Sequence, residues 1–111
     1  MKLIIAIVQD EDSARLVSQL MKDGYGVTKL ATTGGFLRAG NTTLLIGVDD
    51  EKLNAAMEII ENVSKSRKQV TSAPSSMGGM TGIPGAGSYP VEVTVGGATV
   101  FVMSVDQFVK L

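Results

Sequence analysis

Six consecutive apolar residues, Leu3-Ile4-Ile5-Ala6-Ile7-Val8, run straight into the polar set Gln9-Asp10-Glu11-Asp12, and that junction restricts the fold more than any other part of the chain. A run this short and this rich in β-branched side chains is the pattern of a central strand, covered on both faces or placed at a subunit contact. It is too short for a membrane span or for the core of a signal peptide, which points to a cytoplasmic protein. The carboxylates that follow suit a helix start: Asp10 or Asp12 can cap it, and negative charge is favoured at the positive end of the helix dipole. That role explains the acidic cluster without a magnesium ion. Leu16, Val17, Leu20 and Met21 then recur at helical spacing until Gly24 offers a stop. The chain opens as a strand followed by an amphipathic helix laid on a sheet.

The rest of the pattern extends this unit. Residues 25–31 alternate as a strand, and Thr42-Thr43-Leu44-Leu45-Ile46-Gly47-Val48 reads as another, so the two should pair as a hairpin with a loop at about 32–41. Asp49 or Asp50 is placed to cap a second helix with Leu53, Ala56, Met57, Ile60 and Val63 as its apolar stripe. From about 71 to 89 the composition turns to Gly, Ser and Pro, which describes either a disordered connector or a functional flap. Met77, Met80, Ile83 and Tyr89 within it favour a flap that docks on something. Pro90-Val91-Glu92-Val93-Thr94-Val95 and Ala98-Thr99-Val100-Phe101-Val102-Met103 flank Gly96-Gly97, the sequence of a tight hairpin. Val105, Phe108 and Leu111 should close the chain as a short helical turn against the sheet. The expected fold is α+β: one ferredoxin-like βαββαβ domain of 111 residues with an extra C-terminal strand. Two helices cover one sheet face, and the other calls for self-association.

Several chemistries are excluded early. The chain holds no cysteine and no histidine, which removes disulfides, thiolate nucleophiles, zinc-type sites and the commonest proton shuttle. Ten Lys or Arg against eleven Asp or Glu leave a net charge of −1, so no basic footprint for duplex nucleic acid exists. The stretch from Thr28 to Thr43 is different in kind: it gathers three glycines, five threonines, Lys29, Arg38, Phe36 and Asn41. Gly34-Gly35 can turn backbone N–H groups toward an anion, Arg38 and Lys29 can add charge, Phe36 can stack on a flat ligand, and Asn41 can match an adenine edge. Each also has an ordinary structural role, as turn, core plug or Asx turn. Gly35 and Gly40 have the glycine spacing of a phosphate loop, but Asn41-Thr42 stands where Lys and Ser or Thr are needed. No nucleophile has a base within sequence reach. The stretch reads as a site for a phosphate plus a purine, and for binding rather than turnover.

The strings Ile7-Val8-Gln9-Asp10, Thr28-Lys29-Leu30-Ala31-Thr32-Thr33-Gly34-Gly35-Phe36-Leu37, Gly40-Asn41-Thr42-Thr43, Pro90-Val91-Glu92-Val93 and Val95-Gly96-Gly97-Ala98-Thr99-Val100-Phe101-Val102 resemble the PII-like cyclic di-AMP receptors known as PstA or DarA. The resemblance spans essentially the whole chain. It implies a homotrimer of ferredoxin-like subunits, one cyclic di-AMP in each of three clefts between neighbours, no cofactor, no metal and no enzymatic activity. It implies that the loops report binding to a downstream protein whose identity is unknown. Residue by residue, it implies that Thr28 and Asn41 hydrogen-bond one adenine and that Gly47 contacts that adenine through its backbone. Gly35, Phe36 and Leu37 would line the second base and the phosphates, and Phe101 would come from the adjacent subunit. Gly26 stands where that family is expected to carry a basic residue, and Lys110 is likewise a departure; Lys29 or Lys110 could supply the missing cation. The alternatives to a cyclic di-AMP receptor are a PII-type regulator sensing ATP or ADP and a scaffolding trimer that binds only protein.

Overall fold

The computed structural model describes residues 1–30, 40–74 and 88–111. In chain order these form β1 (Lys2–Gln9), α1 (Asp10–Lys22), β2 (Gly26–Leu30), β3 (Asn41–Val48), a 3-10 turn (Asp50–Lys52), α2 (Leu53–Ser64), β4 (Arg67–Pro74), β5 (Ser88–Val95) and β6 (Ala98–Ser104). They divide into two compact units, Met1–Lys65 with Gly96–Leu111, and Ser66–Val95.

In the first unit the sheet runs β2-β3-β1-β6, with every neighbouring pair antiparallel. β3 lies between β1 and β2, and β1 lies between β3 and β6, the order of a ferredoxin-like split βαβ arrangement. The expected fold class holds. Its strand bookkeeping changes, because the fourth strand of the ferredoxin unit is β6 itself. The additional strands form a pair, β4 with β5, set between α2 and β6. Gly96-Gly97 is therefore not the tip of a hairpin: β5 pairs with β4, and β6 pairs with β1. Both glycines do adopt positive φ, 81° and 99°, the conformation a two-residue turn requires. Their amides are taken by other partners: Gly96 N–H donates to Gln9 Oε1 at 2.7 Å, and Gly97 N–H to the Ser64 carbonyl at 2.5 Å.

The core follows from period-two alternation. Ile4, Ala6 and Val8 of β1 and Leu44, Ile46 and Val48 of β3 are buried against Leu16 and Leu20 of α1 and Ala56 and Ile60 of α2. Each large side chain among them contributes roughly 1.5–3 kcal/mol by leaving water. α1 ends as its sequence requires. Gly24 takes φ +92°, its N–H reaches the Met21 carbonyl, and Tyr25 N–H reaches that of Leu20, which together form a Schellman motif.

Its start differs from expectation. Gln9 occupies the N-cap position and no side chain caps the helix. Asp10 and Asp12 sit inside the first turn, where the dipole still favours them. The Asp10 carboxylate instead accepts a hydrogen bond from Thr42 Oγ1, and the buried Asp12 lies 3.6 Å from Arg15. Nor do Asp49 and Asp50 cap α2: Asp50 pairs with the Met1 ammonium at 3.0 Å. The hydrogen bond and charge of that ammonium hold the Asp50 carboxyl below its ordinary range.

In the second unit, Val91, Val93 and Val95 stand opposite Thr71, Gln69 and Arg67, and Lys68 pairs with Glu92 at 3.2 Å on the other face. Residues 71–74 and 88–89, inside the segment expected to be a loop, are strand residues; residues 75–87, with Met77, Met80 and Ile83, lie outside the described ones. Residues 105–111 form no helical turn. Val105 N–H donates to the Met1 carbonyl at 3.1 Å, while Phe108 and Leu111 are exposed.

Candidate functional site

The residues that carry binding chemistry meet on the sheet face turned away from the helices. Cross-strand partners share a face, and the register pairs Leu3 with Gly47 and Met103, Ile5 with Leu45 and Phe101, Ile7 with Thr99, Gln9 with Asn41, Thr28 with Leu45, and Gly26 with Gly47. Thr28, Asn41, Gly47 and Phe101 thus all belong to the face opposite the buried set. Gly35, Phe36 and Leu37 lie outside the described residues.

Two recesses open on this face. The larger, about 640 Å³, is lined by Gly26, Thr28 and Gly47 together with Leu3, Phe108 and Lys110 among others. Gly26 and Gly47 face each other across β2 and β3, so two adjacent positions of its floor lack side chains. Neither takes a positive φ, so what they provide is room. A Cβ built on Gly26 meets nothing within 4 Å, and one on Gly47 meets only the flexible end of Met1 at 3.2 Å. Lys110 is the one charged side chain lining this recess, and it makes no ion pair among the described residues. Lys29 is not among the residues lining it; it pairs with Leu44, a residue of the helix-covered face.

The smaller recess, about 350 Å³, lies at the other end of the strands and is lined by Ile7, Gln9, Asn41, Gly96, Gly97, Ala98 and Thr99. Asn41 and Gly47 stand at opposite ends of β3, about 20 Å apart at the rise of a strand, far beyond the length of a purine. Thr28 and Gly47 come together in one recess; Asn41 does not join them within one protomer. Phe101 lies opposite Ile5 between the two ends, 53 % exposed, and Met103 beside it is 51 % exposed. Residue patterning did not single out Gln9, Thr99, Phe108 or Gly96-Gly97, which line these recesses. Only strand register brings Thr99 and Gln9 beside Asn41, and no signal in the sequence marked the tail as a wall.

Chemically, the larger recess offers a flat apolar floor, a threonine hydroxyl and a flexible ammonium, suited to an aromatic ring bearing an anion. The smaller one offers two side-chain amides and a hydroxyl, the Gly96 and Gly97 N–H groups being already taken. Among the described residues, no group of three or more Asp or Glu is gathered as a metal site, and no helix is long and apolar enough to cross a membrane.

A ferredoxin-like sheet with binding groups on its uncovered face defines a ligand-binding α+β protein. The chain belongs to the cyclic-di-AMP receptor family, whose family model matches residues 1–111. It is also similar to the solved structure of a functionally unknown protein from Pediococcus pentosaceus ATCC 25745. The two are 43% identical with a TM-score of 0.77, over 99% of this chain and 96% of that one.

Proposed function

We propose that this protein is a non-catalytic, cytoplasmic signal-transduction receptor that binds cyclic di-AMP in clefts between the subunits of a homotrimer, without cofactor or metal. The observation that carries this reading is the gathering of Thr28, Gly47 and Lys110 in one recess on the uncovered sheet face, in a chain of the cyclic-di-AMP receptor family. A base seats over the Gly26-Gly47 floor, Thr28 supplies a polar contact, and the Lys110 ammonium meets the phosphate. The separation of Asn41 from Gly47 argues for two subunits at each cleft: a neighbour contributes its Asn41 end, with Gly35, Phe36 and Leu37, and Phe101 reaches across from the adjacent copy. Leu3, Ile5, Leu45, Phe101 and Met103 give the face enough apolar surface to associate.

Calorimetry with cyclic di-AMP, cyclic di-GMP and ATP tests the reading. Heat with cyclic di-AMP and none with ATP is the expected result. Binding of ATP alone would assign the protein to the PII-type regulators, and heat with none of the three would leave a scaffolding trimer.

A further inference from the structure

Two adjacent residues at the end of β1 hold parts of the chain that are far apart in sequence. Gln9 faces Asn41 in the β1–β3 register, and its side-chain oxygen accepts the Gly96 N–H at 2.7 Å. Asp10, next along, donates its backbone N–H to the Gly40 carbonyl at 2.7 Å and accepts from Thr42 Oγ1. Gly40, Asn41 and Thr42 are where the chain returns from the β2–β3 connection. Gly96 is where it leaves the β4–β5 ribbon, one residue after Val95. The foot of this arrangement is fixed, because β1 is paired along its length with β3 on one side and β6 on the other. A displacement at either end is therefore not absorbed by sliding of the strand. The planar peptide joining Gln9 and Asp10 is the covalent link between the two sets of contacts.

We propose that Gln9 and Asp10 form a bracket that couples the return of the β2–β3 connection to the exit of the ribbon, with Gln9 as the positioning residue. Gln9 sets the Gly96-Gly97 wall of the recess that Asn41 lines, so a group entering that recess and the course of the chain out of the ribbon are read by the same side chain. The consequence for signalling rests on the ligand-binding reading above; the mechanical link does not. Coupling of this kind is reciprocal, which makes it measurable from both ends without ligand.

The test is amide hydrogen exchange by NMR on the full chain. Gln9→Leu removes the acceptor at similar size and should speed exchange at Gly96 about fivefold, the factor of one ordinary hydrogen bond, and also speed it at Asn41 to Thr43. Thr42→Val removes the donor to Asp10 and should speed exchange at Gly96, more than fifty residues away in sequence. Gln9→Glu retains an acceptor oxygen and should restore Gly96 to the wild-type rate, an outcome bulk destabilisation does not give. Effects that stay local in both Gln9→Leu and Thr42→Val would overturn the bracket; should Gln9→Leu not fold, Thr42→Val and Gln9→Glu decide alone. A separate arm adds cyclic di-AMP: the wild type should shift its Gly96 amide resonance, and Thr42→Val, which lines neither recess, should bind with that shift reduced. A wild type giving no heat with cyclic di-AMP defeats the ligand reading, and the ligand-free exchange then judges the bracket independently.

Discussion

Phe101 stands directly opposite Ile5 in the β1–β6 register, on the sheet face away from both helices, with more than half of its surface exposed. An aromatic side chain opposite a β-branched one on this face is an apolar anchor, and burying it fully is worth roughly 1.5–3 kcal/mol per copy.

Phe101→Glu should therefore shift the protein toward monomer while leaving its circular dichroism unchanged, because the side chain takes no part in the helix-side core. Sedimentation velocity over a range of concentrations checks this. An assembly of unchanged mass would place the subunit contact elsewhere.

Lys110→Ala should weaken cyclic di-AMP binding about tenfold, the scale of a hydrogen bond to a charged group, and flatten its salt dependence. Gly26→Arg on that background should weaken binding further, since its side chain enters the open space over which the base seats. Titrations at two ionic strengths compare the four proteins. Lys29→Ala, on the opposite face, serves as the control and should bind as wild type.

Gly47→Val should abolish binding by filling the floor of the larger recess with little effect on folding, because Gly47 holds an ordinary strand conformation. Asn41→Ala should cost affinity on the order of 1–3 kcal/mol, as expected for the loss of a base-edge pair. Mixing the Gly47→Val and Asn41→Ala chains should regenerate some intact clefts in mixed trimers, detectable as partial recovery of binding by calorimetry. Clefts built within one subunit would show no such recovery.

Ser64→Ala should stabilise the protein. The Ser64 hydroxyl is buried with no hydrogen-bond partner among the described residues, whereas the bond to Gly97 uses its backbone carbonyl. Removing an unsatisfied polar group should add about 1 kcal/mol, which raises Tm by roughly 4 °C in a domain of this size. Melting at matched protein concentration measures it, and a fall in Tm would mean that the hydroxyl is satisfied in solution.

Where a residue's role was set by its immediate neighbours, it was legible in the sequence. The apolar run of β1, the stripe of α2 and the Gly24 stop of α1 all appear as their spacing demands. β4 escaped because Arg67-Lys68-Gln69-Val70 lacks an apolar face: the ribbon it joins leaves Val70 exposed, so no alternation was imposed on it. Gly96-Gly97 misled because it has the backbone of a hairpin turn, while partners distant in sequence decide where its amides point. Of the candidate site residues, Gly47 came from family resemblance alone, whereas Thr28 and Asn41 were also marked by the polar groups gathered in the 28–43 stretch. Their arrangement, two ends of one face, needed the register.

The hydrogen bond from Gly97 to Ser64 means that the chain leaves the ferredoxin core and re-enters it at a single point. Everything threaded between those two residues is a graft on a closed stem, so its length and composition can be rewritten by insertion or deletion without altering the β2-β3-β1-β6 sheet. Related proteins can thus keep one messenger-binding core and change what it speaks to, and a fluorescent or peptide reporter spliced in beyond Pro74 would hang from that same stem.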